Sequence, residues 1–264
     1  MCCTPWCSRP GVPSSWPHAI RRRRLPAVQL AAVSKSYPGA ADRVPVLREV
    51  SLGFSQRALT AVMGPSGSGK TTLLNCAAGL DRPGIGKVLL GDTDLAVCDE
   101  RELTAVRRGR IGFVFQQFNL LPMLTAYENV ALPLRLRRRS VKRDRVMEAL
   151  REVGLADKAD RRPAQLSGGR QQRVAIARTL VAEPEIVFAD EPTGSLDRHS
   201  GRQIMELLRA VVDRAGRTVV MVTHDPAVAA CADRVVFLSD GKVAGRLDHP
   251  TADAVARRLS MWER

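Results

Sequence analysis

No apolar run in these 264 residues approaches the roughly 18 to 20 needed to span a bilayer, so any membrane role has to come through a partner. The six cysteines form neither a zinc-binding spacing nor a disulfide framework: Cys2, Cys3 and Cys7 crowd the N-terminus, while Cys76, Cys98 and Cys231 are scattered. A reducing compartment is therefore expected. No repeat at a solenoid or propeller period is visible. Acid is missing altogether from the first 26 positions, which hold Arg9 and Arg21 to Arg24. The formal net charge of +14 comes without an RNA-binding aromatic motif or a zinc-finger spacing, and the remaining basic excess is spread along the chain. It reads as a solvated surface suited to facing anionic lipid, and no nucleic-acid partner is expected.

What is present fits one domain. Apolar residues make up 45% and charged residues 26%, an ordinary globular balance, and the length can bury a full core. Residues 1–26 superficially resemble a twin-arginine signal, but the apolar stretch after Arg24 is too short and runs straight into "SKSY". They are read as a disordered extension or an over-long start, with the domain covering 27–264. "AVQLAAVSKSY" and "VPVLREVSLGF" alternate like two strands joined by a "PGAADR" turn, and "LTAVMG" is a continuous apolar strand buried on both faces. "TTLLNCAAGL" has helical character, and "KVLLGDTDL" closes a first sheet region. From Asp99 to Pro163 the pattern turns helical and arginine-rich, with Val146, Leu150, Val153 and Leu155 on one face, which predicts a helical subdomain inserted at about 99–165. Three further strands follow in "EIVFADEP", "RTVVMVTHD" and "RVVFLSDGKVAG". The helical "GRQIMELLRAVVDRAG" separates the first two, and Asp240-Gly241 marks a hairpin in the last.

The chemistry concentrates in three places. Gly64, Pro65, Ser66, Gly67, Ser68, Gly69, Lys70 and Thr71, followed by Thr72, match the P-loop pattern between a strand and a helix. There, glycine backbone N–H groups and a helix N-terminus meet a polyphosphate, Lys70 reaches its outer oxygens, and Thr71 ligates Mg²⁺. The buried run Ile186 to Ala189 delivers Asp190 and Glu191 to a strand end. Asp190 suits the metal, and Glu191 is free to polarise an attacking water. The third place is "LSGGR", where Ser167, Gly168 and Gly169 look like a second anion cradle. Its plainer reading is a helix N-cap, with Ser167 as the cap.

Together, "GPSGSGKT", "LSGGR", "FADEP", "SLD" and "VTHD" resemble the ATP-binding subunits of ABC transporters over nearly everything from Val28 onward. The resemblance implies an α/β fold with a RecA-like P-loop core, an inserted helical subdomain and a small antiparallel β subdomain. It also implies a Mg²⁺-dependent ATPase working as a homodimer, on the cytoplasmic face of the membrane and peripheral through a permease. In that family, Ser167, Gly168 and Gly169 of one chain close over ATP held by the other, so the second cradle serves the partner's nucleotide, and Asp197 lies at the seam. Tyr37 falls where an aromatic stacks on adenine. Gln116 falls where a glutamine links Mg²⁺ and water to the helical subdomain, and His224 where a histidine contacts the γ-phosphate. "GFVFQQFNLLPMLTAYENVALPL" is most similar to the MacB/LolD type, whose partners are FtsX-like permeases. Phe115, Phe118, Leu120, Leu121 and Met123 are candidates either for a groove receiving a permease helix or for the core. The chain departs from the pattern at Arg170, where glutamine is usual, in "FSQR", which lacks a customary glycine, and in residues 1–26. An FtsE/FtsX-like signalling ATPase and a soluble ABC ATPase acting on nucleic acid are the alternatives.

Overall fold

The structure, a computed structural model, describes residues 26–37, 45–137 and 141–261. The expected extension before Pro26 and the "PGAADR" turn lie outside the described residues. A small antiparallel sheet is built from β1 (Val28–Lys35), β2 (Leu47–Phe54), β4 (Ile85–Leu90) and β5 (Thr93–Asp94) in the order β2-β1-β4-β5. The larger sheet contains β3 (Leu59–Met63), β6 (Ile111–Phe115), β7 (Ile186–Asp190), β8 (Thr218–Val222), β9 (Arg234–Ser239) and β10 (Lys242–Asp248), in the order β10-β9-β3-β8-β7-β6. All its pairings are parallel except the β9–β10 hairpin at one edge.

The period of two along these strands explains why there are two cores. Leu59, Ala61 and Met63 of β3, Val187 and Ala189 of β7, Val219 and Met221 of β8, and Val235 and Phe237 of β9 face one side. That side is covered by α3 (Ala126–Leu136), α4 (Arg143–Glu152), α5 (Gly168–Leu180) and α6 (Arg198–Asp213), whose buried residues join the same cluster. The intervening residues Val62, Ile186, Phe188, Val220, Val222, Val236 and Leu238 face the small sheet, α1 (Lys70–Ala77) and α2 (Glu100–Arg110). Both faces of β3, β7, β8 and β9 are thus dry, as their unbroken apolar runs require, while the edge strand β10 stays partly exposed. The short α7 (Pro226–Ala229) and α8 (Ala252–Ser260) complete the chain.

The helical subdomain expected at about 99–165 includes a strand of the main sheet. Ile111–Phe115 forms β6, the edge strand of the main sheet paired with β7. Its alternation decides this: Ile111 and Phe113 pack on the second core and Val114 on the first. Leu103 ties α2 to the second core as well, so the part standing out as helical begins only after Phe115.

The strand order brings four chain ends to one edge. Val62 pairs with Val222, Val222 with Asp190, and Asp190 with Phe115, so the loops after β3, β8, β7 and β6 all leave from the carboxyl side of the sheet. The hairpin at Asp240-Gly241, with φ of 47° and 72°, reaches the same edge. Gly241 donates its N–H to Ser68 O at 3.2 Å, and its carbonyl accepts from Arg48 N at 2.9 Å. A Cβ at Gly241 would stand 2.4 Å from Val46 O, so only glycine lets this turn brace the phosphate loop.

Candidate functional site

The loop from Gly64 to Gly69 leaves β3 and enters α1. Gly64 has φ of 154°, and a Cβ there would lie 2.0 Å from Leu238 O, so the strand can turn this tightly only with glycine. Pro65 O accepts from Ser68 N at 3.3 Å, and Lys70 Nζ folds over the loop to donate to Gly64 O at 2.9 Å and Pro65 O at 2.7 Å. Ser66 and Gly67 are exposed, whereas the Ser68 hydroxyl is buried without a hydrogen-bond partner. No side chain caps α1, whose N-cap is Gly69. A cradle of backbone N–H groups, an orphan hydroxyl and an ammonium fits a polyphosphate. Thr71 is exposed at the helix start, with the half-buried Thr72 beside it.

Across two strands, Asp190 ends β7 and Glu191 follows with φ of 45°, its N–H donating to Val222 O at 3.0 Å. That left-handed turn, costly for a side-chain-bearing residue, aims the two carboxylates differently. Burial, and then the neighbouring Glu191 charge, push the Asp190 carboxyl above its ordinary value, against the pull of Lys70 and a hydrogen bond from Thr71. Burial lowers the Lys70 ammonium, partly offset by Glu191 and Asp190. His224 Nδ1 donates to Glu191 Oε1 at 2.9 Å; the imidazole is 72% exposed, the carboxylate only 17%. Lys70, Thr71, Asp190, Glu191 and His224 therefore form one constellation. Among the described residues no group of three or more His, Cys, Asp or Glu side chains could hold a metal alone. Thr71 and Asp190 fit instead a hard cation that takes its other oxygens from phosphate and water.

The remaining predicted residues surround this centre. Gln116 is exposed just beyond β6, its carbonyl accepting from Ser195 Oγ at 3.0 Å, and its amide lies 2.9 Å from where a Gly194 Cβ would stand. Asp197 caps α6, accepting from Ser200 N at 2.9 Å and Ser200 Oγ at 2.7 Å; these bonds hold its carboxyl low. Tyr37 lies off the end of β1, its hydroxyl donating to Asp81 Oδ2 at 2.6 Å. Ser167, Gly168 and Gly169 stand apart from the phosphate loop: the nearest atoms to an added Cβ belong to Leu196 and Phe118 at Gly168, and to Ser200 at Gly169.

The expectation that Ser167 caps its helix is corrected. It occupies the N-cap position of α5 with extended backbone, but its side chain makes no cap hydrogen bond. Side chains cap α2, α3, α6, α7 and α8, whereas α1, α4 and α5 go without. Both glycine-rich cradles thus open onto helix N-termini whose N–H groups no side chain has taken. Of the apolar segment, Val114 is buried and Leu120 packs on the first core, the Phe113 and Phe115 rings stack at 5.6 Å, and Leu121 and Met123 are exposed.

Sequence reasoning missed the residues that fasten the glutamine loop. Arg178 on α5, pushed below its ordinary value by burial, donates to Phe118 O at 3.0 Å and Asn119 O at 2.5 Å, where both residues have positive φ. Gln172 Nε2 bridges Phe115 O at 3.2 Å and Pro192 O at 2.8 Å. Asn129, fully buried, accepts from Leu121 N and donates to Leu121 O, Leu124 O and Thr125 O. Polar residues bordering or interrupting apolar helical runs, Asn129 in "NVALPL" and Gln172 and Arg178 in "QRVAIARTL", were the available signal. Free Cys76 and Cys98 are buried and Cys231 is exposed; burial pushes the Cys76 thiol up to about 12, which leaves it unreactive.

A strand, a glycine-rich loop and a helix, with an Asp-Glu pair at the end of the parallel strand two places along the sheet, define a P-loop nucleotide-binding protein. Residues 47–194 match the model of the ABC transporter family. The chain is 46% identical over 222 residues to an uncharacterized ABC transporter ATP-binding protein of Methanocaldococcus jannaschii, MJ0796, covering 82% of this chain and 94% of that one. It is 46% identical over 213 residues to YvrO of Bacillus subtilis, another uncharacterized ABC transporter ATP-binding protein, covering 80% and 93%. The macrolide export ATP-binding/permease protein MacB of Chromobacterium violaceum is 42% identical over 235 residues, which are 87% of this chain but only 36% of MacB. A dimeric structure of MJ0796 in a post-hydrolysis state, bound to ADP and Pi, aligns with a TM-score of 0.78 at 43% identity, covering 85% of this chain and 99% of that one. The chain belongs to the ABC transporter family and is an ATP-binding, ATP-hydrolysing subunit of that family, with the ABC ATPase fold.

Proposed function

We propose that this protein powers an FtsX-like permease of the MacB/LolD type, sitting on the cytoplasmic face of the membrane through that permease and acting in export or extraction. No described helix is long and apolar enough to cross a membrane. The observation that carries the reading is the separation of two cradles: Gly64 to Thr72 gathers with Asp190, Glu191 and His224, while Ser167 to Gly169 opens elsewhere. Two copies meeting head to tail would give each cradle its complement.

In that arrangement Lys70 and the loop N–H groups bind the polyphosphate, and Tyr37 stacks on adenine. Thr71, Asp190 and Gln116 hold Mg²⁺, whose charge supports the leaving phosphate when bound. Glu191 accepts the proton of the attacking water, and His224 fixes the Glu191 carboxylate while reaching the γ-phosphate. Ser167, Gly168 and Gly169 donate to the γ-phosphate held by the other copy, with Asp197 at the seam. Exposed Leu121 and Met123, on a loop fastened to α5 by Arg178 and to α3 by Asn129, present the apolar surface for a permease helix.

The test is complementation. Lys70→Ala damages a chain's own cradle and Ser167→Arg the one it offers across the seam, so each homodimer has two damaged sites. In a mixed dimer both lesions fall in one composite site and the other is intact. Heterodimers isolated through two tags on a Glu191→Gln background should trap ATP. Verified mixtures that never trap nucleotide would show that "LSGGR" does not act on a partner's ATP.

A further inference from the structure

Tyr37 is 44% exposed, yet its side chain is tied at its tip. The Tyr37 hydroxyl donates to Asp81 Oδ2 at 2.6 Å, and Lys35 Nζ donates to Asp81 Oδ1 at 2.5 Å. Lys35 Nζ also stands 5.0 Å from the centroid of the Tyr37 ring and donates to Arg82 O at 2.8 Å. The three side chains close a ring: carboxylate to hydroxyl, carboxylate to ammonium, ammonium to aromatic face. Asp81 itself is fastened just beyond α1, the helix that begins at the phosphate loop, through its N–H to Asn75 O at 3.2 Å. Ser34 O accepts from Gly84 N at 2.8 Å, fixing the end of β1 to the same turn. The ring therefore connects the strand that carries the aromatic to the helix that carries Lys70 and Thr71.

We propose that Asp81, clamped by Lys35, is a positioning residue for base recognition: it holds the Tyr37 ring in place as a preformed platform for adenine. The proposal rests on reading Tyr37 as the adenine platform. A ring already fixed loses little rotamer freedom when the base arrives, and its spacing from the phosphate cradle is set by α1 rather than by a loop. The ammonium against one aromatic face leaves the opposite face for the base. Asp81 touches no nucleotide, so its effect must appear in base affinity and not in phosphate affinity.

The experiment measures dissociation constants of the full chain for ATP and for tripolyphosphate, which has the phosphates without the base. Asp81→Ala should weaken ATP about three- to tenfold, the scale of freeing one rotamer-rich side chain, and leave tripolyphosphate unchanged. Tyr37→Phe keeps the stacking ring, loses the hydroxyl's bonds to Asp81 and to the Thr72 side chain, and should weaken ATP to about the same extent; it guards against a folding defect in Asp81→Ala. The double variant should be no worse than either single one. If Tyr37→Ala weakens ATP while Asp81→Ala and Tyr37→Phe do not, the platform stands and the clamp is refuted. If Asp81→Ala weakens ATP and tripolyphosphate alike, Asp81 merely supports α1 and the proposal is overturned. If Tyr37→Ala leaves ATP affinity unchanged, the platform reading fails and takes the clamp with it.

Discussion

Replacing Glu191 by Gln alters one atom at the centre of the constellation. The carboxylate is only 17% exposed and is held by His224 Nδ1 at 2.9 Å. Glutamine keeps that contact, because its Oε1 still accepts from the imidazole, but the amide has no basic oxygen for the proton of the attacking water. Because the group is largely withdrawn from solvent, bulk water is a poor substitute for it. The expected loss therefore falls at about 10³-fold, or about 4 kcal/mol of barrier at 1.36 kcal/mol per decade. His224→Ala leaves the carboxylate and removes one charge-assisted hydrogen bond, so about 10- to 100-fold is expected. Combining the two separates the roles of His224: whatever it does through the Glu191 carboxylate adds nothing once that group is disabled, and only its reach to the γ-phosphate adds a further loss beyond Glu191→Gln alone. Phosphate release is measured with the permease present, with ATP affinity measured in parallel and expected to stay at the unmodified level. A Glu191→Gln protein that turns over at more than a tenth of the normal rate would refute the role of Glu191 as base.

Gly64→Ala should abolish ATP binding in an equilibrium assay, because its Cβ would fall 2.0 Å from Leu238 O and displace the loop that Lys70 folds over. Phe188→Ala, at a fully buried position with its ring 6.0 Å from that of Phe113, should lower unfolding free energy by about 3–5 kcal/mol in denaturant titration. Asn129→Ala removes the four bonds its amide makes to the segment 121–125, and should cost about 2–3 kcal/mol in the same titration. The Lys35–Asp81 pair predicts a pH window. Burial raises the Asp81 carboxyl, but the bonds from Lys35 and Tyr37 outweigh it and hold the group below 3.8. Its contribution is present above that ordinary value and lost as pH falls through the depressed one. For Lys35, burial is likewise outweighed by Asp81 and the ammonium sits above 10.5, so its contribution is full below that value and lost as pH rises through the raised one. Stability measured against pH should lose its Asp81-dependent part at the acid end in Asp81→Ala.

The sequence by itself determined the elements whose chemistry is local. A phosphate cradle is a run of consecutive backbone groups, so Gly64 to Thr71 declares itself wherever a strand precedes it and a helix follows. Buried strands such as Leu59–Met63 and Ile186–Asp190 read as continuous apolar runs because both faces are covered, and Asp240-Gly241 reads as a turn because positive φ demands those residue types. Only the tertiary structure decided what depends on partners far along the chain. Ile111–Phe115 could not be told from its helical surroundings until β7 paired with it, since strand identity in a five-residue stretch is conferred by the neighbouring strand. Ser167 has the residue type of a cap, but a hydroxyl caps only if its rotamer turns inward, and here it makes no cap bond. The Tyr37–Asp81 bond spans 44 residues and the Arg178–Phe118 bond 60, separations over which no local pattern constrains two side chains to meet. Hydrogen bonds between fixed points in space are products of strand order and helix placement, and those are set by the burial of two opposite faces of one sheet.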